Sequence, residues 1–408
     1  VLGVAMAQVY GELVSAFPET GAEYTVLGRT LGPTAGFMTL GLVLTGFTVA
    51  QALTALGVAS YLDVIWPGLN PVAVAIILIV AVNALAILNI RLNAVVTGAF
   101  LATEVISLTA VSVLGFSHIR RSPWEVLVHP VVAHGAALGA VPAPVLGVAA
   151  AGAIYAFNGF GGVVSIGEEM HDAPRHVARV IFWALGLAAV LELAPMVAVT
   201  VGARDLHSLL TAPAPIPAFI AEAGGRTLGV ITSVLVGLAI VNTMIAVALM
   251  AGRQLFSTGR DGVWPGPVNR ALASLHPRFN SPWIATLVMG GISVLWSFAP
   301  LKLLVTIVAS GTVVIYSGLC LAVIQGRRNS STAHGRYRMP LFPLAPLLAL
   351  AALVGVLWTG LTDAEVGRPS LMACAVVMAT WAMFYRLWLR RRGGWAHRGP
   401  SNIEAAAE

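Results

Sequence analysis

Eleven stretches of about twenty residues, each almost free of charge, constrain this chain more than any other feature. A helix needs about 20 mostly apolar residues to cross the hydrocarbon core of a bilayer. Windows of that size run Val1 to Phe17, Thr34 to Tyr61, Pro71 to Ile90, Asn93 to Phe116, Val145 to Ile166, Ala178 to Val201, Leu228 to Phe256, Pro282 to Phe298, Lys302 to Ile324, Leu344 to Leu361 and Pro369 to Leu389. Each predicts a helix, and none shows the short alternation of a transmembrane β-barrel strand. Composition agrees, with 58% hydrophobic and 10% charged residues, against roughly 25% charged in an ordinary soluble domain. So few polar side chains cannot cover an aqueous surface. The fold class expected is all-α, one polytopic membrane domain over residues 1–408 surrounded by lipid bilayer.

Orientation follows from the basic residues of the loops, taken alternately on the two sides of the membrane. One side carries 17 of the 23 Lys and Arg residues, among them Arg253, Arg260, Arg327 and Arg390 to Arg392, and the other carries 6. The richer side is expected to be cytoplasmic, together with the C-terminus. The net charge of +6 is then a topology signal, and no nucleic-acid partner is implied. Cys320 and Cys374 both lie in apolar runs, so no disulfide framework is expected. The loop histidines, His118, His129, His134, His171, His207 and His276, lack ligand spacing, and neither metal nor cofactor is expected. Val1 opens directly into apolar sequence with no signal peptide. Eleven spans ending in the cytoplasm would put Val1 on the outer face, so the expectation is that one preceding helix is missing.

The window Val145 to Ile166 sets Gly159, Gly161 and Gly162 beside Asn158 in an otherwise apolar span. Each interior Gly costs about 1 kcal/mol of helix relative to Ala. Two readings fit: an unwound stretch between half-helices whose free backbone groups hold a charged substrate, or close helix packing through small residues. Intramembrane carboxylates are the next signal, since burying one costs about 2.5 to 3.5 kcal/mol. Glu104 shares a helix face with Asn93, Thr97 and Ser107, and is either a proton-coupling group or a carboxyl held by interhelical hydrogen bonds. Glu12, one turn after Gln8, reads as structural or gating. Glu192 precedes Pro195 and is placed to answer the backbone carbonyl that the proline frees. On the arginine-rich side, Glu168, Glu169, Arg253, Arg260 and Asp261 are suited to ion pairs that open and close an inner gate.

Several motifs resemble the amino acid, polyamine and organocation permease superfamily, over nearly all of the chain. YGELVSAFPETGAEY (Tyr10 to Tyr24) is similar to that family's second helix and following loop. YAFNGFGGVVSIGEEMHDAPR (Tyr155 to Arg175) resembles its broken sixth helix, and NTMIAVALMAGRQLFSTGRDGVWP (Asn242 to Pro265), followed by HPRFNSP, its eighth. RYRMPLFPLAP (Arg336 to Pro346) is similar to the start of its eleventh helix. The resemblance implies the leucine-transporter fold, an inverted repeat working by alternating access around a site on the first and sixth helices. Residues 1–116 would be the remainder of the first repeat, 145–324 the second, 344–390 two additional helices and 391–408 a cytoplasmic tail. The first window matches the family's second helix, so the broken first helix, and with it half of the expected site, is expected to be absent. Ala22 stands where a second Gly is usual, and Pro174 falls one position late. Where many relatives carry a Lys on the fifth helix, Glu104 stands instead.

By the same resemblance, Tyr155, Phe157, Asn158, Gly159, Phe160 and Gly161 line the substrate's amine end and the aromatic gate, and Asn242 and Thr243 reach the cavity from the eighth helix. The implied function is a secondary transporter of amino acids or related amines in the cytoplasmic membrane, driven by protons or by exchange. Asn158 offers no charge to a charged substrate side chain, which favours neutral amino acids or small amines. A transport-incompetent chain of the same fold is the alternative. A membrane-embedded enzyme needs paired Asp, His-Glu or Ser/Lys groups at membrane depth, and the sequence holds no such constellation.

Overall fold

A hydrocarbon core offers backbone N–H and C=O groups no outside partner, so each apolar window closes its own hydrogen bonds as a helix. The computed structural model describes residues 2–19, 21–63, 65–88, 90–135, 137–162, 173–212, 215–393 and 395–397. In chain order the helices are α1 (Leu2–Ala16), α2 (Ala22–Leu31), α3 (Pro33–Asp63), α4 (Pro71–Ile87), α5 (Ile90–Ser117), α6 (Pro123–Val128), α7 (Ala143–Ala156) and α8 (Ala173–Gly202). They continue as α9 (Leu206–Thr211), α10 (Pro215–Gly224), α11 (Arg226–Arg260), α12 (Gly266–Leu272), α13 (Trp283–Trp296), α14 (Leu301–Arg328), α15 (Leu344–Thr362) and α16 (Gly367–Met383). Among the described residues eight helical segments are long and apolar enough to cross a membrane. The shorter α1, α4 and α13, of 15, 17 and 14 residues, fill the other three windows. The protein is an all-α, multi-pass integral membrane protein.

One extramembrane loop departs from the all-helical expectation. Val131–His134 (β1) pairs antiparallel with Ala137–Ala140 (β2), Val131 opposite Ala140. The β-branched Val131 and Val132 favour extended backbone, and Gly135 takes the positive φ of 56° that the turn requires. A hairpin with open edges is compatible only with the aqueous side. His207, just after the Asp205 side chain that caps α9, sets its Nε2 2.7 Å from the Gly135 carbonyl oxygen and holds the hairpin down.

Hydroxyls inside the spans turn back onto their own helices. Thr48 donates to the Leu44 carbonyl, Ser107 to Thr103, Ser293 to Met289 and Thr312 to Val308, so these polar atoms are satisfied without water. Four apolar clusters then hold the helices together. Met6, Leu13, Ile181, Leu319, Val323 and Leu353 join α1, α8, α14 and α15. Val49, Ala52, Ile79, Val82, Met244 and Ile245 join α3, α4 and α11. Tyr24, Phe37, Leu40, Leu255 and Leu389 form a third cluster around α2, α3 and the end of the α16 region. Val111, Val199, Phe219 and Ile220 close a fourth between α5, α8 and α10.

Small residues let several of these helices approach backbone to backbone, as helices in lipid do. A Cβ added at Gly115 on α5 would stand 2.5 Å from the Ala198 carbonyl carbon on α8, whereas one at Gly98 would meet nothing within 4 Å. Gly115→Ala must therefore push α5 off α8, costing about 1 to 3 kcal/mol. Gly98→Ala is neutral or stabilising by helix propensity. Thermal unfolding of the two variants in detergent checks this, and equal behaviour would contradict the α5–α8 contact.

Candidate functional site

The backbone of α7 stops being α-helical at Ala156, and residues 157–162 wind on as a tighter 3₁₀ turn inside an apolar span. Gly159, Gly161 and Gly162 lie in that turn. Gly161 brings the backbone against Tyr10, where a Cβ would stand 3.0 Å from the ring, and Gly162 does the same against Met250 at 2.6 Å. Small residues thus serve both of the readings left open by the sequence: the helix breaks its regular winding, and large side chains close on the break.

Asn158 receives the hydroxyl of Tyr316, which donates to its Oδ1 at 2.8 Å from α14. Tyr316 also packs edge-on against Tyr10, with ring centroids 5.9 Å apart, and Phe160 meets Tyr10 edge-on at 5.8 Å. The three rings are nearly fully buried. Edge-to-face pairs of this kind add about 0.5 to 1.5 kcal/mol beyond burial. Tyr155 turns the other way and packs with the α3, α4 and α11 cluster, while Phe157 is half-buried and Gly159 has open space beside it. The end of α7 therefore bridges two cores, one built on α1 and α14 and the other on α3 and α11.

The α11 candidates lie apart from that turn in character. The Asn242 amide oxygen is buried without a hydrogen-bond partner among the described residues, a state that costs free energy unless a ligand or water meets it. Thr243 opens with Glu104, Ser107 and Leu108 onto a cavity of about 150 Å³ between α5 and α11. Glu104 and Ser107 are thus brought together as the shared helix face predicts, and the Asn93 side chain lies outside the described residues. Glu192 is half-buried on α8, and no hydrogen bond from its carboxyl to a backbone carbonyl is present among the described residues, contrary to the expectation drawn from Pro195.

Glu12 is buried and accepts three hydrogen bonds. Arg327, from the last turn of α14, grips it with two hydrogen bonds of 2.7 Å each, and the Met339 backbone N–H donates to Oε2 at 2.8 Å. The same guanidinium bonds the Met339 carbonyl and sits over the Phe342 ring at 4.1 Å. Nearby, the Tyr337 N–H donates to Ser15 Oγ and His334 Nε2 lies 2.7 Å from the Ala16 carbonyl. The loop after α14 thus caps the end of α1. Gln8, read from the sequence as the companion of Glu12, does not join this set; its amide oxygen is buried without a partner among the described residues. Arg327 is 315 residues away, and only the rule that a buried carboxylate demands a cation could have pointed to it.

Of the expected gate residues, Glu168 and Glu169 lie outside the described residues. Arg260 approaches Asp261 at 3.9 Å, and His397 approaches the same carboxylate at 3.7 Å. Arg253 sits beside Gln254, whose side chain donates to the Gly21 carbonyl at 3.0 Å. A further pair, Arg29 with Glu19 at 2.6 Å, bridges the α1–α2 turn. Burial pushes the Glu19 carboxyl above its ordinary value, and the Arg29 charge draws it back. Trp395 donates to the Tyr24 hydroxyl at 2.8 Å, so the segment after α16 packs onto α2. Among the described residues no group of acids, histidines or cysteines could hold a metal ion.

A sequence model described as amino acid permease matches residues 1–381. A protein of Mycobacterium tuberculosis (strain ATCC 25618 / H37Rv) named only as an uncharacterized transporter is 28% identical over 386 residues, covering 90% of this chain and 83% of its own length. A methylthioribose transporter of Bacillus subtilis (strain 168) is 24% identical over 382 residues, covering 86% and 78%. The branched-chain amino acid permease BcaP of the same organism is 23% identical over 362 residues, covering 84% and 74%.

The bidentate pair of Glu12 and Arg327 yields a stability test. Arg327→Leu leaves the buried Glu12 carboxylate without its cation, and breaking a pair in this way costs about 3 to 5 kcal/mol. Removing both charges together, as Glu12→Leu with Arg327→Leu, costs far less. Thermal unfolding of the single and double variants reads the difference, and additive losses would contradict the pairing.

Proposed function

This chain belongs to the amino acid permease family and is a transporter of small molecules such as amino acids or amines, and we propose that its substrate sits at the 3₁₀ turn of residues 157–162. The observation that carries this reading is the interrupted winding after Ala156 inside an apolar span, with Asn158 held by Tyr316 beneath the rings of Tyr10 and Phe160. The regular α-helical bonding ends at this turn, and backbone groups at such a break inside a span are suited to meet a substrate's ammonium and carboxylate. Phe157, Gly159, Phe160 and Gly161 belong to the turn and Tyr155 adjoins it, while Asn242 and Thr243 join the substrate path from α11 by the family resemblance, Thr243 through the cavity it shares with Glu104. The polar contribution of Asn158 is uncharged, so the substrate side chain is neutral. Branched-chain amino acids are the first candidates, in line with the similarity to the branched-chain amino acid permease of Bacillus subtilis.

Alternating access by rocking of two repeats, residues 1–116 and 145–324, accounts for transport without covalent chemistry. The arginine-rich loops support a cytoplasmic C-terminus for a protein of the cytoplasmic membrane. Glu104 is the proton-coupling group: its half-buried carboxyl shares a small cavity with Thr243, where it can take a proton from the outer side and affect the α11 wall of the site. Glu12, Arg253, Arg260 and Asp261, with Glu168 and Glu169, control the inner gate.

Purified protein in proteoliposomes is expected to accumulate tritiated leucine when the outside is made acidic, with uptake rising as external pH falls. In Glu104→Gln leucine exchange persists but the dependence on external pH is lost. A folded protein that moves none of leucine, valine, alanine, methylthioribose or putrescine would overturn the transport reading. An unchanged pH profile in Glu104→Gln would remove Glu104 from it.

A further inference from the structure

A carboxyl group that the reading above leaves unused lies between the inner loop helix and the rings around Asn158. Glu23, in the first turn of α2, accepts the hydroxyl of Tyr10 at Oε1, 2.9 Å away. Tyr10 is buried on α1 and packs edge-on against Tyr316 of α14, whose hydroxyl in turn donates to Asn158. The carboxyl is also near enough to the Tyr316 phenol to act on it electrostatically. Glu23 with Tyr10, and Tyr316 with Asn158, thus form two hydrogen-bonded pairs joined by the edge-on contact of the two tyrosine rings, from α2 to the 3₁₀ turn.

The surroundings of Glu23 are those of a proton carrier rather than of an ion-pair member. Tyr10 faces it from α1, Tyr316 from α14, and its own backbone N–H supports it, with the Cys320 thiol close to Tyr10. The cations nearest in the chain are engaged elsewhere: Arg29 holds Glu19 and Arg327 holds Glu12. Arg253 on α11 adjoins Gln254, which reaches Gly21 at the start of α2. The α3 residues packed on α2 include no titratable side chain, since Tyr61 and Asp63 stand at the far end of that helix. Burial pushes the Glu23 carboxyl above its ordinary value, while its backbone N–H and the Tyr10 hydroxyl pull it partly back.

We propose that Glu23 is the inner protonatable group of the transport cycle, holding a proton on Oε2 while Tyr10 donates to Oε1 and releasing it to cytoplasmic water when α1 and α2 part. The step is a simple ionisation. The O–H bond of the carboxylic acid breaks, water takes the proton, and the carboxylate remains. Tyr10 is a positioning residue, since it sets the carboxyl against the aromatic cluster and stabilises the charged form by its hydrogen bond. This rests on the proton-coupled reading of the transporter and adds a second group to it, on the opposite side of the membrane from the uptake step at Glu104.

Two measurements on the full chain separate this proposal from that reading. In proteoliposomes with external pH held constant, wild-type leucine uptake should fall as the lumen is acidified, by up to about tenfold per pH unit below the pKa of the releasing group. Glu23→Gln should abolish the dependence on internal pH while the dependence on external pH, set at Glu104, is kept. A wild-type internal-pH profile in Glu23→Gln would overturn the proposal while leaving the Glu104 assignment standing. The second measurement needs no transport: the protonated-carboxyl stretch in the infrared spectrum of the purified protein, titrated through the neutral range. One titrating carboxyl should disappear in Glu23→Gln. In Tyr10→Phe, which keeps the ring packing, it should titrate at higher pH, because a donor to the charged form has been removed. Persistence of that band in Glu23→Gln would overturn the proposal even if leucine were not a substrate.

Discussion

The bidentate contact of Arg327 with Glu12 is the interaction on which the packing of α1 against α14 depends. It joins α1 to α14 at a depth where an unpaired carboxylate could not be tolerated, and the Met339 backbone completes its hydrogen bonding. Tyr10 lies two residues before Glu12, and Tyr316 lies three helical turns before Arg327. Pinning the two charged residues therefore sets the axial register of α1 against α14, and that register is what lets Tyr10 and Tyr316 meet beside Phe160. Without it the Asn158 side chain would have no hydroxyl to hold it, and the aromatic floor of the turn would not close.

The architecture was readable because its cause is local. A run of about 20 apolar residues has to satisfy its backbone within itself, and among the described residues each of the eleven windows holds a helix. The glycine cluster around Asn158 was legible for the same reason: interior glycines weaken a helix where they stand, and α7 does lose its α-helical winding at Ala156. The hairpin of residues 131–140 was not, since four-residue strands leave too short a pattern to separate from loop.

Partners distant in the chain were beyond reach. Arg327 is read from sequence as one more basic residue on the arginine-rich side, and Tyr316 as an aromatic in an apolar span. Their roles come from contacts with residues 315 and 158 positions away. The sequence places Gln8 one turn before Glu12, but the partner of a buried carboxylate is set by its demand for a cation, which Arg327 meets from α14. Glu23 escaped notice because its neighbours in sequence, Ala22 and Tyr24, belong to a short amphipathic helix that looks like solvated loop until α14 and α1 are packed over it.

The central claim is that the turn at residues 157–162 is the substrate site and that Tyr316 holds Asn158 in place there. Leucine affinity measured by isothermal titration for the wild type, Asn158→Ala, Tyr316→Phe and the double variant tests it most directly. The account predicts that each single change weakens binding and that the double change weakens it by less than the two combined, because both act through one hydrogen bond. Affinity unaltered by either change, in proteins that still unfold cooperatively, would contradict it.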